Sequence, residues 1–460
     1  MSRTMAIRRP LAVASGVLPC TPSHQLRWHY CCFSTPRGFS TSARRLQEQP
    51  KKQSDPLRIL FCGTDAFSCA SLRALYEEKL QNPGLVESID VVVRPGKPYG
   101  RGLKLTKHPP IRAVADELWL PVHERDTFTK WEMPPAINLI IAVSFGLLVP
   151  ARLLAAAKYG GLNVHPSLLP DLRGPAPLYH ALLRRLEATG VTLQTMHPHE
   201  FDKGLVLAQS RDDDLIQIPP KCTYPQLLEL ATPIGAQMLV QGLRDGVHVP
   251  PLEEQNRQNQ GQGKSAAALY APKILPEDRN LYRFVTSQSN EADELAKHRS
   301  TERQVHPNHI EGAGIIDSIV LAQRVIGPLW FRVMGSEEGV ERTVERTRRV
   351  VLDKVDDDIV IKTMPNSRSD ISVRNLKIWE THVESWQKPA LAKFGNLWYI
   401  AEKGDDSIYL FDRPESLLEG PLRCLRVERL KVEGSSAKPA KQVLDHYIKH
   451  NTNQYLGFWE

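Results

Sequence analysis

"LRILFCGT", residues 57–64, is a short apolar run, Arg58 its one charge, that stops on Gly63-Thr64. A strand with one wet face alternates apolar and polar residues, whereas a continuous run of this length closed by a turn glycine marks a strand covered on both faces. Leu72, Leu75, Tyr76 and Leu80 then recur at helical spacing behind the candidate caps Asp65 and Ser68. The pattern repeats outward. "SIDVVVR" (88–94), "INLIIAV" (137–143) and "GLNVH" (161–165) are further apolar runs, and "PLYHALLRRLEA" places Leu178, Leu182, Leu183 and Leu186 on one helical face. Such alternation predicts a Rossmann-like α/β domain built on a parallel sheet. The first turn, "FCGTDAFS", has one glycine and no GxGxxG, which argues against a dinucleotide cofactor.

At 460 residues the chain has room for two domains and tails. Its formal charge of +7 is concentrated at the start. Residues 1–52 hold nine Lys and Arg against the single acid Glu48, a balance of +8, so the remaining residues sum to about −1. A nucleic-acid partner would therefore need a local patch rather than the global charge. The leader is rich in Arg, Ser and Thr, and "RGFSTSARRL" (37–46) resembles a matrix presequence cleavage site, with cleavage before Ser40. A mitochondrial matrix protein is expected. No apolar stretch reaches the roughly 18 residues that would span a membrane. Cys62, Cys69, Cys222 and Cys424, the cysteines beyond the leader, show neither a CxxC nor metal-ligand spacing, so no metal site is expected.

The Gln/Asn/Gly-rich "EEQNRQNQGQGKSAAA" (253–268) cannot bury a core and reads as a domain edge. Beyond residue 310 short β-type runs separated by turn residues follow: "PLWFRVM", "RVVLDKV", "DIVIKTM", "ISVRNLKIW", "LWYIAE", "SIYLF" and "CLRVERLKV". They predict a small antiparallel OB-like barrel. The expected organisation is a leader at 1–52, an α/β domain at 56–252, a connecting segment at 253–310 and a β-barrel at 311–450.

Asn163 and His165 end the run at 161–165, and two residues apart on a strand they share a face. An amide N–H can hold a developing oxyanion, and an imidazole beside it can shuttle a proton. The spacing equally suits a histidine satisfied at a strand end. Asp202 lies between "GVTLQTM" and "GLVLAQS", which read as a hairpin-like pair. It could orient the imidazole, or simply form the turn.

"NVHPSLLPDLRGPAPLYHAL", followed by "TGVTLQTM" and the Asp202-Lys203-Gly204 turn, resembles the active-site signature of the 10-formyltetrahydrofolate-dependent formyltransferases. The resemblance implies Asn163, His165 and Asp202 as the catalytic trio. It implies Ser167, Leu168, Leu169 and Pro170 as a wall of the folate site, with Leu148 and Val149 beside the pterin. The formyl donor would be 10-formyltetrahydrofolate, with no metal. Lys203 stands where the family usually has Thr, and Leu205 where it has an acid, which puts folate placement in question.

"RPGKPYGRGLKLTKHPPIR" (94–112) contains six cations and no acid. By itself it reads as a flexible basic loop, either solvated or phosphate-binding. Its Gly-Arg-Gly-x-Lys-Leu core is similar to the tRNA-binding insertion of the family members that formylate methionyl-tRNA. That likeness implies tRNA contacts at Arg94, Lys97, Arg101, Lys104 and Lys107, and on the second domain at Arg426, Arg429 and Lys438. The expected partner is initiator methionyl-tRNA and the expected state a monomer. A formyltransferase acting on a nucleotide or sugar-nucleotide amine would share the trio without needing the loop or the barrel. A non-catalytic tRNA- or folate-binding relative could keep the loop and lose the trio.

Overall fold

The computed structural model describes residues 52–255, 269–281, 315–336, 345–362, 371–379, 394–402, 404–411 and 422–449. The expected presequence and the Gln/Asn-rich stretch from residue 256 on lie outside the described residues. The first half runs β1 (Leu57–Gly63), α1 (Ala66–Gln81), β2 (Val86–Val93), β3 (Lys97–Tyr99), β4 (Leu105–Lys107), α2 (Pro110–Glu117), β5 (Val122–Glu124), β6 (Leu139–Val143) and α3 (Ala151–Ala156). Then come β7 (Gly161–His165), α4 (Pro177–Leu183), β8 (Ala188–Thr189), β9 (Thr192–Thr195), β10 (Val206–Gln209), β11 (Ile216–Gln217) and α5 (Tyr224–Arg244).

Seven of these strands form one sheet of order β10-β9-β7-β6-β1-β2-β5. The five from β7 to β5 are parallel, and β9 and β10 add antiparallel at one edge. Why β1 is apolar at every position from Ile59 to Cys62 is now plain. Leu57, Ile59 and Phe61 face a core closed by α1 and α5, while Leu60 and Cys62 face a second cluster with Phe128, Trp131, Leu153 and Leu154. The order in which strands are added reverses at β1, since β2 lies on one side and β6 on the other. A crevice at such a switch point opens at the carboxyl ends of the strands.

Asp65 caps α1 by accepting from the Ser68 N–H at 3.1 Å. Thr223 and Gln226 close a capping box on α5. The helix expected at 177–188 ends early. Arg185 turns left-handed at φ 53°, which returns Leu186 to the core outside the helix. The basic stretch differs from the expected flexible loop. β3 and β4 pair Lys97 with Lys107 and Tyr99 with Leu105, around a tip where Gly100 and Gly102 take φ of 80° and 72°. Glycine at both positions lets the chain reverse where other residues would be strained.

The described part of the connecting segment, 269–281, is not a free linker. Tyr270 bridges Arg173, the Ala271 N–H donates to Arg173 O at 2.7 Å, and the Ala176 N–H donates to Ala271 O at 3.2 Å. Further on, the Leu281 N–H donates to Trp330 O at 2.8 Å and the Trp330 indole N–H to Pro276 O at 3.0 Å.

The second half contains α6 (Ile315–Ile326), β12 (Trp330–Ser336), β13 (Glu345–Lys362), β14 (Ile371–Trp379), β15 (Phe394–Glu402), β16 (Ile408–Phe411), β17 (Leu422–Val432), β18 (Ala437–Pro439) and α7 (Ala440–Lys449). The antiparallel sheet has the order β12-β13-β17-β16-β15-β14, with β18 on β17. Its edge strands β12 and β14 approach one another, so the sheet curls round, although no ladder joins them among the described residues. "RVVLDKV" and "DIVIKTM" are one strand rather than two. The acidic residues between them sit in register shifts that bend β13 without ending it. The helices α6 and α7 were not expected from the strand pattern.

Candidate active site

β7 delivers Asn163 and His165 to the carboxyl edge of the sheet, and the β9–β10 turn brings Asp202 over them. Asp202 Oδ1 accepts from Asn163 Nδ2 at 3.2 Å and lies 3.3 Å from His165 Nδ1. Asp202 Oδ2 accepts from the Gly174 N–H at 2.9 Å. His165 Nε2 donates to Leu172 O at 3.0 Å. A carbonyl can only accept, so this nitrogen carries a proton and Nδ1 is the one that meets the carboxylate. Both ring nitrogens thus face acceptor oxygens. The side chains of His165 and Asp202 are 6% and 8% exposed, so little water screens them.

Local backbone makes this possible. Asp202 adopts φ 55°, and Gly204 passes so close to β9 that a Cβ there would lie 1.7 Å from Thr195 O. Gly174, at φ 116°, has Ala271 O 2.6 Å from where a Cβ would be. Neither site admits a side chain.

The trio opens into a cavity of about 1000 Å³. One wall is apolar, with Phe145, Leu147, Leu148 and Val149 from the segment after β6. Another carries Phe67 and the stacked rings of Tyr179 and Tyr224, whose centroids are 3.9 Å apart and planes 5° apart. Burial pushes the Tyr224 hydroxyl up to about 12, with Tyr179 and Asp65 adding to it. Burial also raises the Asp65 carboxyl above its ordinary value, against the lowering pull of the Ser68 N–H and the Ser144 hydroxyl.

The segment expected to line the folate site behaves differently. Leu148 and Val149 line the cavity, but Ser167, Leu168, Leu169 and Pro170 do not. Ser167 and Leu169 are buried, and Thr192 Oγ1 ties them together by accepting from the Leu169 N–H and donating to Ser167 O. Gln209 adds a donor to Leu169 O at 2.9 Å. The prolines thus bound a buttress behind His165. Lys203 pairs with Glu200 at 2.5 Å on the cavity rim, so its cation is already compensated.

The expected tRNA contacts divide into two groups. Lys97, Arg101, Lys104 and Lys107 are exposed along the β3–β4 hairpin. Arg94 instead pairs with Asp126 at 2.7 Å. On β17, Arg426 faces Glu428 at 3.4 Å and Asp356 at 3.9 Å, and Arg429 donates to Ala437 O at 2.6 Å while remaining exposed. Lys438 is exposed on β18. The sequence reading missed Gln194 and Thr192. Their signal was polar residues alternating within "GVTLQTM", a run otherwise fit for a buried strand.

Among the described residues no group of three or more His, Cys, Asp or Glu could hold a metal ion, and no helix is long and apolar enough to cross a membrane. An amide donor, an imidazole and a carboxylate converging at the carboxyl edge of a parallel sheet define an enzyme of group transfer at a carbonyl carbon. A family model described as Formyl transferase matches residues 57–229. The chain is 34% identical over 288 residues to the mitochondrial methionyl-tRNA formyltransferase of Saccharomyces cerevisiae, which covers 54% of this chain and 69% of that protein. The chain belongs to the formyl transferase family and is a transferase of one-carbon groups.

It is also 35% identical over 231 residues to the mitochondrial methionyl-tRNA formyltransferase of Homo sapiens, and there spans about half of each, 50% of this chain and 52% of that protein. Among solved structures, a sugar N-formyltransferase from a Shewanella species aligns at 15% identity with a TM-score of 0.37, covering 57% of this chain and 87% of that one.

Proposed function

We propose that this protein transfers the formyl group of 10-formyltetrahydrofolate to the α-amino group of methionyl-tRNA in mitochondria, with residues 56–252 as the catalytic part and 311–450 as a tRNA-binding part. The observation that carries the chemistry is the convergence of Asn163 and His165 on one carboxylate oxygen of Asp202. The substrate reading is supported by the named relatives and by the four exposed cations of the hairpin.

The methionyl amine attacks the formyl carbon. Asn163 Nδ2 uses one N–H on Asp202, which leaves its second to meet the formyl oxygen as negative charge develops there; such a donor contributes about 3 kcal/mol. His165, held through Nε2 by Leu172 O, takes on Nδ1 the proton that the attacking amine loses and returns it to the departing N10 of the folate, and the Asp202 carboxylate stabilises the ring while it carries that proton. The apolar wall at Leu148 and Val149 takes the pterin, with the Ser167–Pro170 turn supporting the site from behind. The hairpin cations and the exposed Arg429 and Lys438 contact tRNA phosphates. The matrix location follows from the leader's composition together with the relatives' mitochondrial names.

The test is to incubate the purified chain with 10-formyltetrahydrofolate and methionyl-tRNA and to measure N-formylmethionine. Formylation of a nucleotide or sugar-nucleotide amine in place of methionyl-tRNA would overturn the substrate assignment. No formylation of either would overturn the reading as a whole.

A further inference from the structure

Asp202 sits in a left-handed backbone conformation, at φ 55°, that a residue with a side chain holds only when its surroundings enforce it. Two of its carboxylate partners, Asn163 and the Gly174 N–H, come from the β7 side of the site. A third comes from the middle of β9. Gln194 stands in register opposite Asn163, so both amides project from the same face of the sheet. Its Nε2 donates to Asp202 Oδ1 at 3.1 Å, and its Oε1 accepts from the Gly204 N–H at 3.2 Å. Gln194 is fully buried, and its side chain bolts both ends of the turn that carries Asp202.

The orientation of this amide is forced. The Gly204 N–H can only donate, so it must meet the amide oxygen, and the amide nitrogen is thereby turned on Asp202. Oδ1 then faces Asn163, Gln194 and His165, and Oδ2 faces the Gly174 N–H. Every neighbour with a fixed proton donates, so of the groups that face the carboxyl only His165 Nδ1 could accept a proton from it.

We infer that Gln194 is a positioning residue for formyl transfer: it holds the Asp202 carboxylate turned on His165 and within its reach. The inference rests on the formyltransferase reading of the site. Gln194 lines the cavity, but its amide oxygen and nitrogen are engaged by Gly204 and Asp202, so it acts through Asp202 and its loss should appear in turnover rather than in substrate binding. Leucine fills similar space without polar atoms. Glutamate keeps the acceptor toward Gly204 and sets a second carboxylate oxygen against Asp202, and two like charges at that distance cannot both ionise at the ordinary pH.

The experiment compares full-length wild type, Gln194→Leu and Gln194→Glu in formylation of methionyl-tRNA by 10-formyltetrahydrofolate. For Gln194→Leu the expected result is a kcat about 10- to 100-fold lower, with both KM values within about twofold. For Gln194→Glu the acid limb of the kcat–pH profile should move upward by about one pH unit or more, a change that a merely structural role would not produce. A Gln194→Glu profile superimposable on that of wild type would overturn the inference, as would Gln194→Leu at wild-type kcat. If Gln194→Leu does not fold, the nearly isosteric Gln194→Glu decides alone. Absence of product with the wild type would instead count against the formyltransferase reading.

Discussion

Replacing Asp202 by asparagine changes two atoms' worth of chemistry and almost no volume. Because Oδ1 meets three donors and Oδ2 only the Gly174 N–H, the new amide will turn its oxygen toward Asn163, Gln194 and His165. Its nitrogen then confronts the Gly174 N–H, donor against donor. An unsatisfied buried backbone donor costs about 1–3 kcal/mol, which is the expected loss of stability. The kinetic effect is larger. At 3.3 Å and an effective dielectric of about 20, the carboxylate and a protonated His165 attract by about 5 kcal/mol, and the asparagine dipole retains a fraction of that. If about 3–4 kcal/mol of transition-state stabilisation is lost, kcat falls by about 10²–10³-fold. Single-turnover formylation of methionyl-tRNA, with thermal melting run in parallel, measures both. A variant within about fivefold of the wild-type rate, with its melting temperature unchanged, would refute the claim that Asp202 charges and orients the imidazole.

Three further outcomes follow from particular residues. Stability should fall on acidification. His180 donates through Nε2 to Pro272 O, and burial lowers its pKa from 6.5 to about 4. The unfolded chain therefore binds the extra proton first, so stability is complete above pH 6.5 and declines as pH falls toward 4, by about 2–3 kcal/mol. His248, also lowered to about 4, adds in the same direction. Melting scans from pH 7.5 to 4.5 should show a shallower decline in His180→Leu, and equal slopes would contradict the assignment. Gly204→Ala should reduce kcat by at least about tenfold because its Cβ meets Thr195 O, whereas Gly160→Ala meets nothing within 4 Å and should cost only about 1 kcal/mol of stability for its positive φ. Finally, neutralising Lys97, Arg101, Lys104 and Lys107 together should raise KM for tRNA, leave KM for the folate unchanged and flatten the salt dependence by about 0.7–0.9 per cation lost. An unchanged salt slope would remove the hairpin from the tRNA interface.

How much of this was legible in the sequence depended on whether the information was local. β1, β6 and β7 could be read because a strand covered on both faces is apolar along most of its length, and Leu57, Ile59 and Phe61 serve one core while Leu60 and Cys62 serve the other. The hairpin at 97–107 could not, since all six of its paired residues are exposed and leave no apolar period to detect. The sequence suggests two strands in β13 because Asp356–Asp358 look like a turn, yet they fit the register shifts where β13 pairs with β17. Helix α6, "IIDSIVLAQRVI", stands outside the β-type runs that define the second half, and it packs onto β13 and β17.

The site divides along the same line. Asn163 and His165 are two residues apart on one strand, so their shared face follows from the pleat alone. Asp202 needed the β9–β10 hairpin, which the flanking apolar runs announced. Gln194 required the register between β7 and β9, a tertiary fact that no single segment carries. The Ser167–Pro170 turn adds what the resemblance did not carry. The resemblance implies a wall of the folate site, and the structure shows Thr192 and Gln209 satisfying its backbone from behind, with Ser167 and Leu169 buried. The irregular chain after His165 is therefore needed by the protein itself. It turns Leu172 O onto His165 Nε2 and the Gly174 N–H onto Asp202, contacts that a continued strand or a helix would have used up in its own hydrogen bonds.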